Sequence, residues 1–274
     1  MWFRCIIIIF SCFPLSIVSC FSKNSVSQAK STLANACDAL SKKDPAKALS
    51  AFESLVSKDY HDRLGDKQKL VLDIRELFFS SNHTQIKRCR FVDTLITPKV
   101  DTRVKQVTIS GIIELETTSL SETQESALSS KAELYFYGQM ETEVILTKGS
   151  YFISENFLDM FREAYHLMQK RKASLEKKDS AQYLSLVSPR YDFNGKTFED
   201  IKKKITSEFS LEREIQITTN RLEIRHEEPY TSVTDFFSLQ GIVIDDQVIH
   251  RGKGSYLLQR ETQQSQLKIV GGIY

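Results

Sequence analysis

The chain repeats itself, and no other feature constrains its fold as much. Leu40-Ser41-Lys42-Lys43-Asp44 aligns with Leu175-Glu176-Lys177-Lys178-Asp179. Leu55-Val56-Ser57-Lys58-Asp59-Tyr60 aligns with Leu186-Val187-Ser188-Pro189-Arg190-Tyr191. The period is about 130 residues, and the chain is long enough for two ordinary domains or one large one.

Both copies carry the same hydrophobic pattern. In the first, Leu33, Ala36, Cys37 and Leu40 fall at i, i+3, i+4 and i+7, one face of a helix. Asp44-Pro45 then opens a second helix as N-cap and first-turn proline, with Ala48, Leu49, Phe52, Leu55 and Val56 as its apolar face. After a break at Tyr60 and Gly65, a third helix over 66–79 buries Leu70, Ile74, Leu77 and Phe78. A short strand at 86–91 and longer ones at 102–117 and 132–147 follow, with a serine-rich loop at 120–130 and a closing strand at 151–153. In the second copy Phe157, Phe161, Ala164, Tyr165, Met168 and Leu175 make a helix face, and helices open at Asp179 and Thr197. Strands at 215–224, 231–244, 247–260 and 267–273 close it. Strands in series joined by short loops pair antiparallel, so the order points to α+β rather than α/β. The expected organisation is a leader at 1–19, a tether at 20–28, and two domains at 29–154 and 155–274, each three N-terminal helices on a curved antiparallel sheet. Lys148-Gly149-Ser150-Tyr151 and Lys253-Gly254-Ser255-Tyr256 are identical, but they fall on different strands of their copies and carry no weight.

The first residues have their own logic. Arg4 precedes an apolar run from Cys5 to Val18, the length of an export signal and short of the about 20 residues a spanning helix needs. The run ends in Ile17-Val18-Ser19-Cys20, which resembles the lipobox of bacterial lipoproteins. The resemblance implies cleavage before Cys20 and a diacylglycerol on its sulfur; an ordinary cleaved signal with a chance cysteine is the alternative. Two or more acyl chains hold a protein stably on a membrane. Phe21 and Ser22 are not the acidic residue of an inner-membrane retention signal, so in a Gram-negative host the family's sorting rule implies the outer membrane. Of five cysteines, Cys37 and Cys89 remain beyond the leader and Cys20. In an oxidising compartment they either form one disulfide or stand as two small buried residues.

Composition narrows the chemistry. Net charge is +2 with acids and bases interspersed, no footprint for nucleic acid. Among five histidines and ten glycines there is no metal-ligand spacing, phosphate loop or glycine-x-serine-x-glycine elbow, so neither a metal nor a cofactor is expected. Asn82-His83-Thr84 matches a glycosylation sequon that a bacterial lipoprotein would not use. The run Lys170-Arg171-Lys172 with Lys177-Lys178 reads as the wet face of its helix, and Asp245-Asp246 as a hairpin turn.

A long helix with a lysine-rich end, an aspartate, a short helix ending in leucine-valine-serine, then a tyrosine, a third helix and long antiparallel strands resembles the nuclear transport factor 2-like superfamily. Lys177-Lys178-Asp179 through Tyr191 carries this best, with Leu267-Lys268-Ile269-Val270 as the closing strand. The resemblance implies two tandem cones, each a curved sheet wrapped on helices around a pocket. Enzymes of that superfamily place an aspartate, histidine or tyrosine inside the cone, which makes Tyr60, His83 and Asp93 candidates in the first copy and Tyr191, His226, Asp235 and His250 in the second. Tyr60, Tyr191, Asp235 and His250 are the pocket candidates retained. The tyrosines also read as packing residues with surface hydroxyls, and His226 as part of an acidic turn with Glu227 and Glu228. No grouping reaches the level of a reaction. The function expected is a membrane-tethered, non-catalytic interaction or accessory module, with an envelope protein or a second copy as partner. A binder of a small apolar ligand is the alternative, and an isomerase- or hydratase-type enzyme is a third reading.

Overall fold

The computed structural model describes residues 23–79, 84–99, 106–119, 132–210, 215–243, 246–262 and 264–272. The leader, Cys20, His83, the serine-rich loop and Asp245 lie outside the described residues. So do the side chains from 241 to 250, including that of His250.

One order of elements occurs twice. Helices α1 (Lys23–Leu40) and α2 (Pro45–Ser54), the two-residue strands β1 (His61–Asp62) and β2 (Gly65–Asp66), and helix α3 (Lys67–Phe79) lead into four strands. These are β3 (Thr84–Pro98), β4 (Gln106–Ser119), β5 (Glu133–Thr147) and β6 (Ser150–Glu155). Then come α4 (Asp159–Glu176), α5 (Ser180–Ser185), β7 (Asp192–Phe193), β8 (Lys196–Thr197) and α6 (Phe198–Phe209). Strands β9 (Ile215–Glu227), β10 (Tyr230–Val243), β11 (Asp246–Arg260) and β12 (Leu267–Gly272) close the chain.

Matching residues do matching work. Asp44 caps α2 by accepting from Ala46 N and Lys47 N, and Asp179 caps α5 by accepting from Gln182 N. Ser57 N donates to Ile153 O at 2.8 Å while Ile153 N returns to Leu55 O at 2.9 Å. In the second half, Ser188 N and Ile269 O, then Ile269 N and Leu186 O, repeat the pair at 2.9 Å each. A bulge falls between Glu143 and Val144 where β5 meets β6, and again between Leu257 and Leu258 where β11 meets β12.

The fold is α+β with a curved, mostly antiparallel sheet. Strand order is β12-β11-β10-β9-β5-β4-β3, and β6 pairs with β5. The parallel pairing of β5 with β9, from Glu133–Arg221 to Gly138–His226, makes one sheet of both halves. Gly138 has φ +144°, and a Cβ there would sit 2.0 Å from His226 O, so only glycine lets the two backbones meet.

Three differences from the sequence reading have local causes. Residues 23–28, read as tether, are helical, because nothing between Lys23 and Gln28 is a glycine or proline that would stop the helix. Strand β3 runs 15 residues and absorbs its polar stretch in a bulge between Val92 and Leu95, with Asp93 left-handed at φ 52°. The break at Tyr60 and Gly65 is a two-strand hairpin.

Candidate functional site

Helix α4 shows no wet face over Phe161–Met168, and only Lys170, further along, is exposed. Phe161, Arg162, Glu163, Ala164, Tyr165, Leu167, Met168 and Ser174 are all buried, as expected for a helix between two packed bodies rather than on a surface. Left-handed Asn156 (φ 57°) and Leu158 (φ 55°) bend the chain ahead of it. They turn Phe157 into the first half, where its ring centroid lies 5.2 Å from that of Phe52. Phe161 stacks on Phe136 at 5.1 Å. Arg162 and Arg171 are nine residues apart, two and a half turns, so they leave the helix on opposite sides. One enters the first half and the other the second.

Arg162 is fully buried. Its Nε and Nη2 donate to Asp73 Oδ2 at 3.0 and 2.7 Å, and its Nη1 to Asp62 Oδ2 at 2.6 Å. Tyr60, buried, donates its hydroxyl to Asp62 and accepts from Phe157 N at 3.3 Å. Asp62 also accepts from Leu64 N and Gly65 N at 2.8 and 3.0 Å. Lys69 Nζ adds a bond to Asp73 Oδ1 at 2.7 Å. Burial opposes ionisation of Asp73, but His166, Lys69 and Arg162 outweigh it and hold the carboxyl well below its usual range. Burial first, then the charge of Asp62, raises the Tyr60 phenol far above its ordinary value. The result is a closed, compensated charge knot.

His166 Nε2 stands 3.1 Å from Asp73 Oδ1 without the alignment of a hydrogen bond. Asp73, Glu76 and His166 bring ligand atoms within 4.8 Å of one another. Asp73 already faces Lys69 and Arg162, so a metal ion would add a further positive charge to one carboxylate, and the donor set does not suit a cation.

The second interior is different. Asp235 on β10 is 3% exposed, and its Oδ1 has no hydrogen-bond partner among the described residues. Thr219 bonds its other side, and Arg171 and Lys172 act on it through space. Burial pushes the Asp235 carboxyl up despite all three. The Arg171 guanidinium lies 4.5 Å from the centre of the Tyr256 ring and bonds the Tyr183 hydroxyl, while its buried Nε has no partner. Burial raises the Tyr256 phenol to about 12. Gly254 pairs with Asp235 across β10 and β11. A Cβ on it would meet the Tyr256 hydroxyl at 2.4 Å, so glycine lets that hydroxyl lie beside Asp235.

Between the halves lies an open cleft of about 1030 Å³. Arg63, Arg260, His226, Asp159, Met140 and Met160 are among its walls. Glu163 behind it accepts from Arg63 Nη1 at 2.8 Å, Arg260 Nη2 at 2.9 Å and Leu267 N at 2.7 Å.

The structure separates the residues singled out from sequence. Tyr60 and Tyr191 are buried, and neither hydroxyl is at the surface: Tyr191 donates to Gly272 O at 3.3 Å, because the loop after each short helix turns inward against the closing strand. Asp235 lies inside the second half, away from both tyrosines' partners. Asp93 is exposed at its bulge. His226 belongs to β9 and is 7% exposed, with Nδ1 2.9 Å from Thr231 Oγ1; the hairpin consists only of Glu228 and Pro229, so the histidine is no solvated turn. The backbone of His250 pairs with Leu239. Cys37 on α1 and Cys89 on β3 form a disulfide, Cα–Cα 5.3 Å. Sequence reasoning missed Arg162, Asp62, Asp73 and Arg171. A signal was present, since apolar residues surround 157–168 on every side, which excludes a helix with one wet face.

No protein-family model matches the chain, and no curated protein matches it. Among solved structures it is similar to a candidate ketosteroid isomerase from Shewanella frigidimarina, at 14% identity and TM-score 0.35, over 40% of this chain and 92% of that one. It is similar to a candidate scytalone dehydratase from Novosphingobium aromaticivorans at 13% identity and TM-score 0.37, over 42% and 82%. ActVI-ORFA from Streptomyces coelicolor matches at 12% identity and TM-score 0.35, over 42% and 94%. Likeness of this degree carries no inference about chemistry.

Proposed function

We propose that the chain is an exported lipoprotein, lipidated at Cys20, whose two halves are tandem nuclear transport factor 2-like units sharing helix α4 and one sheet. It acts in the cell envelope as a non-catalytic interaction or accessory module, at the outer membrane in a Gram-negative host. The observation that carries the non-catalytic reading is the filled first interior. Where an enzyme of that superfamily keeps a pocket, this half packs Phe52, Phe136, Phe157, Phe161 and the compensated Arg162 knot. The Cys37–Cys89 disulfide supports export, since such bonds persist in oxidising compartments. The partner is an envelope protein or a second copy. The test is fractionation and palmitate labelling of the native protein and of Cys20→Ser, followed by crosslinking in intact envelopes. Membrane recovery and label that both vanish in Cys20→Ser, with a discrete crosslinked partner, support the reading; a soluble, unlabelled wild-type protein refutes the anchor.

A second reading, small-molecule binding, has its own observation. Buried Asp235 Oδ1 and Arg171 Nε both lack partners among the described residues of the second interior.

A further inference from the structure

We propose that the second half binds a small organic carboxylate, anchored by the Arg171 guanidinium and completed by the hydroxyls of Tyr183 and Tyr256 and the carboxyl of Asp235. This rests on the second reading above and names its ligand class, polar at one end rather than wholly apolar.

Charge compensation carries the argument. A buried cation is stable when anions or well-placed acceptors meet it. Arg162 has two carboxylates on its guanidinium. Arg171, on the same helix, has a phenol oxygen, an aromatic face and a carboxyl acting only through space. A guanidinium is a planar fork matched to carboxylate, and the buried Nε of Arg171 is left without a hydrogen-bond partner among the described residues.

Asp235 fits as the proton-bearing partner. Its cross-strand neighbours are Leu222 and Gly254, an environment in which a carboxyl is more stable uncharged. In that form Oδ1 or its proton completes a hydrogen bond to a ligand oxygen, and the ligand's charge balances Arg171. Among the described residues, the charged and titratable groups facing Asp235 are Arg171 and Lys172 from α4 and Tyr256 from β11.

The duplication supplies an internal control. Carrying the matched helix ends and strand registers across, Arg171, Tyr183, Asp235 and Tyr256 correspond to Ala36, Phe52, Gly111 and Thr142. The first half thus has small or apolar residues at three of these places and only a threonine hydroxyl at the fourth. All four polar groups occur together or not at all, which is expected of a site and not of scattered drift.

The test is isothermal titration calorimetry on the full-length protein in detergent, with acetate, propionate, benzoate and inorganic phosphate as probes. At least one carboxylate should bind with one-to-one stoichiometry. Affinity should weaken as pH rises, because ionised Asp235 then repels the ligand's charge. Arg171→Met and Tyr256→Phe should each lower affinity by about tenfold or more, with circular dichroism unchanged. Should Arg171→Met misfold, Arg171→Lys and Gly254→Ala, which displaces the Tyr256 hydroxyl, serve in its place. The inference is overturned if no carboxylate binds at millimolar concentration, if binding survives Tyr256→Phe and the arginine variant, or if only phosphate binds. Lipid labelling and envelope crosslinking are read separately, so failure here leaves the tethered-module reading standing.

Discussion

Arg162→Met should be the most damaging single substitution in the first half, and its size follows from the contacts. The guanidinium is wholly buried, as are the side chains of Asp62 and Asp73. Methionine keeps most of the volume, so the loss is electrostatic. Asp62 retains Tyr60 and two backbone donors, and Asp73 retains Lys69, but both carboxylates lose their strongest partner. Removing one member of a buried ion pair costs about 3–5 kcal/mol, and the remaining donors place the expected loss near the middle, about 4 kcal/mol. For a chain of this size that lowers Tm by roughly 8–16 °C. The sign with pH is fixed as well. The folded carboxyl of Asp73 titrates below its ordinary value of 3.8. Its contribution is therefore complete above that value and is lost as pH falls through the lower, folded one. In the variant the Asp73 carboxyl loses a charge partner and titrates higher, so the deficit should be largest at neutral pH and shrink on acidification. Urea unfolding at neutral and mildly acid pH measures this, and Arg162→Met with Asp73→Asn should recover part of the loss. A deficit under about 1 kcal/mol, or one independent of pH, would refute the reasoning.

Three further outcomes can be checked with similar melts. Cys89→Ser, or reduction, opens a loop whose ends are 52 residues apart; the chain-entropy relation gives a loss of about 4 kcal/mol, and a change within error would mean the unfolded state is already constrained. Gly138→Ala forces a Cβ against His226 O and should cost about 1–3 kcal/mol from overpacking, with hydrogen exchange rising first at the β5–β9 joint. Asp235→Asn should stabilise at neutral pH. Burial raises the folded carboxyl above 3.8, so the wild type is penalised where that group ionises; the penalty disappears as pH falls back through this window, and a variant less stable at neutral pH contradicts the sign.

Much of this architecture was legible because local chemistry agrees with the global arrangement. Asp44-Pro45 and Asp179 mark helix starts through caps that need only neighbouring residues. The leucine-valine-serine segments and their tyrosines are readable because each holds the same place against a closing strand. Asp235 is a candidate only through the family resemblance, and the structure buries it on β10. What sequence did not disclose depends on which body a helix touches on each side. A basic run such as Lys170-Arg171-Lys172 on an ordinary surface helix faces water, and Arg162 in a first turn would do the same. Helix α4 lies between two halves, so the rule that puts arginines outside no longer applies. The recurring element order alone does not predict this, because the equivalent helix α1 makes its main contacts within its own half.

The recurring order of elements sharpens the contrast between the two arginines. A helix that packs between two halves has two cores to satisfy. Charged residues entering either core must then be compensated there. Arg162 is compensated by Asp62 and Asp73 from the neighbouring half, which ties the two halves together. Arg171 enters its own half, and what it meets is an aromatic face, a phenol and a carboxyl that burial keeps toward its neutral form. If compensation were only a matter of stability, both arginines would be expected to have carboxylates in contact. Among the described residues one does and the other does not, and that contrast is what the proposed carboxylate ligand answers.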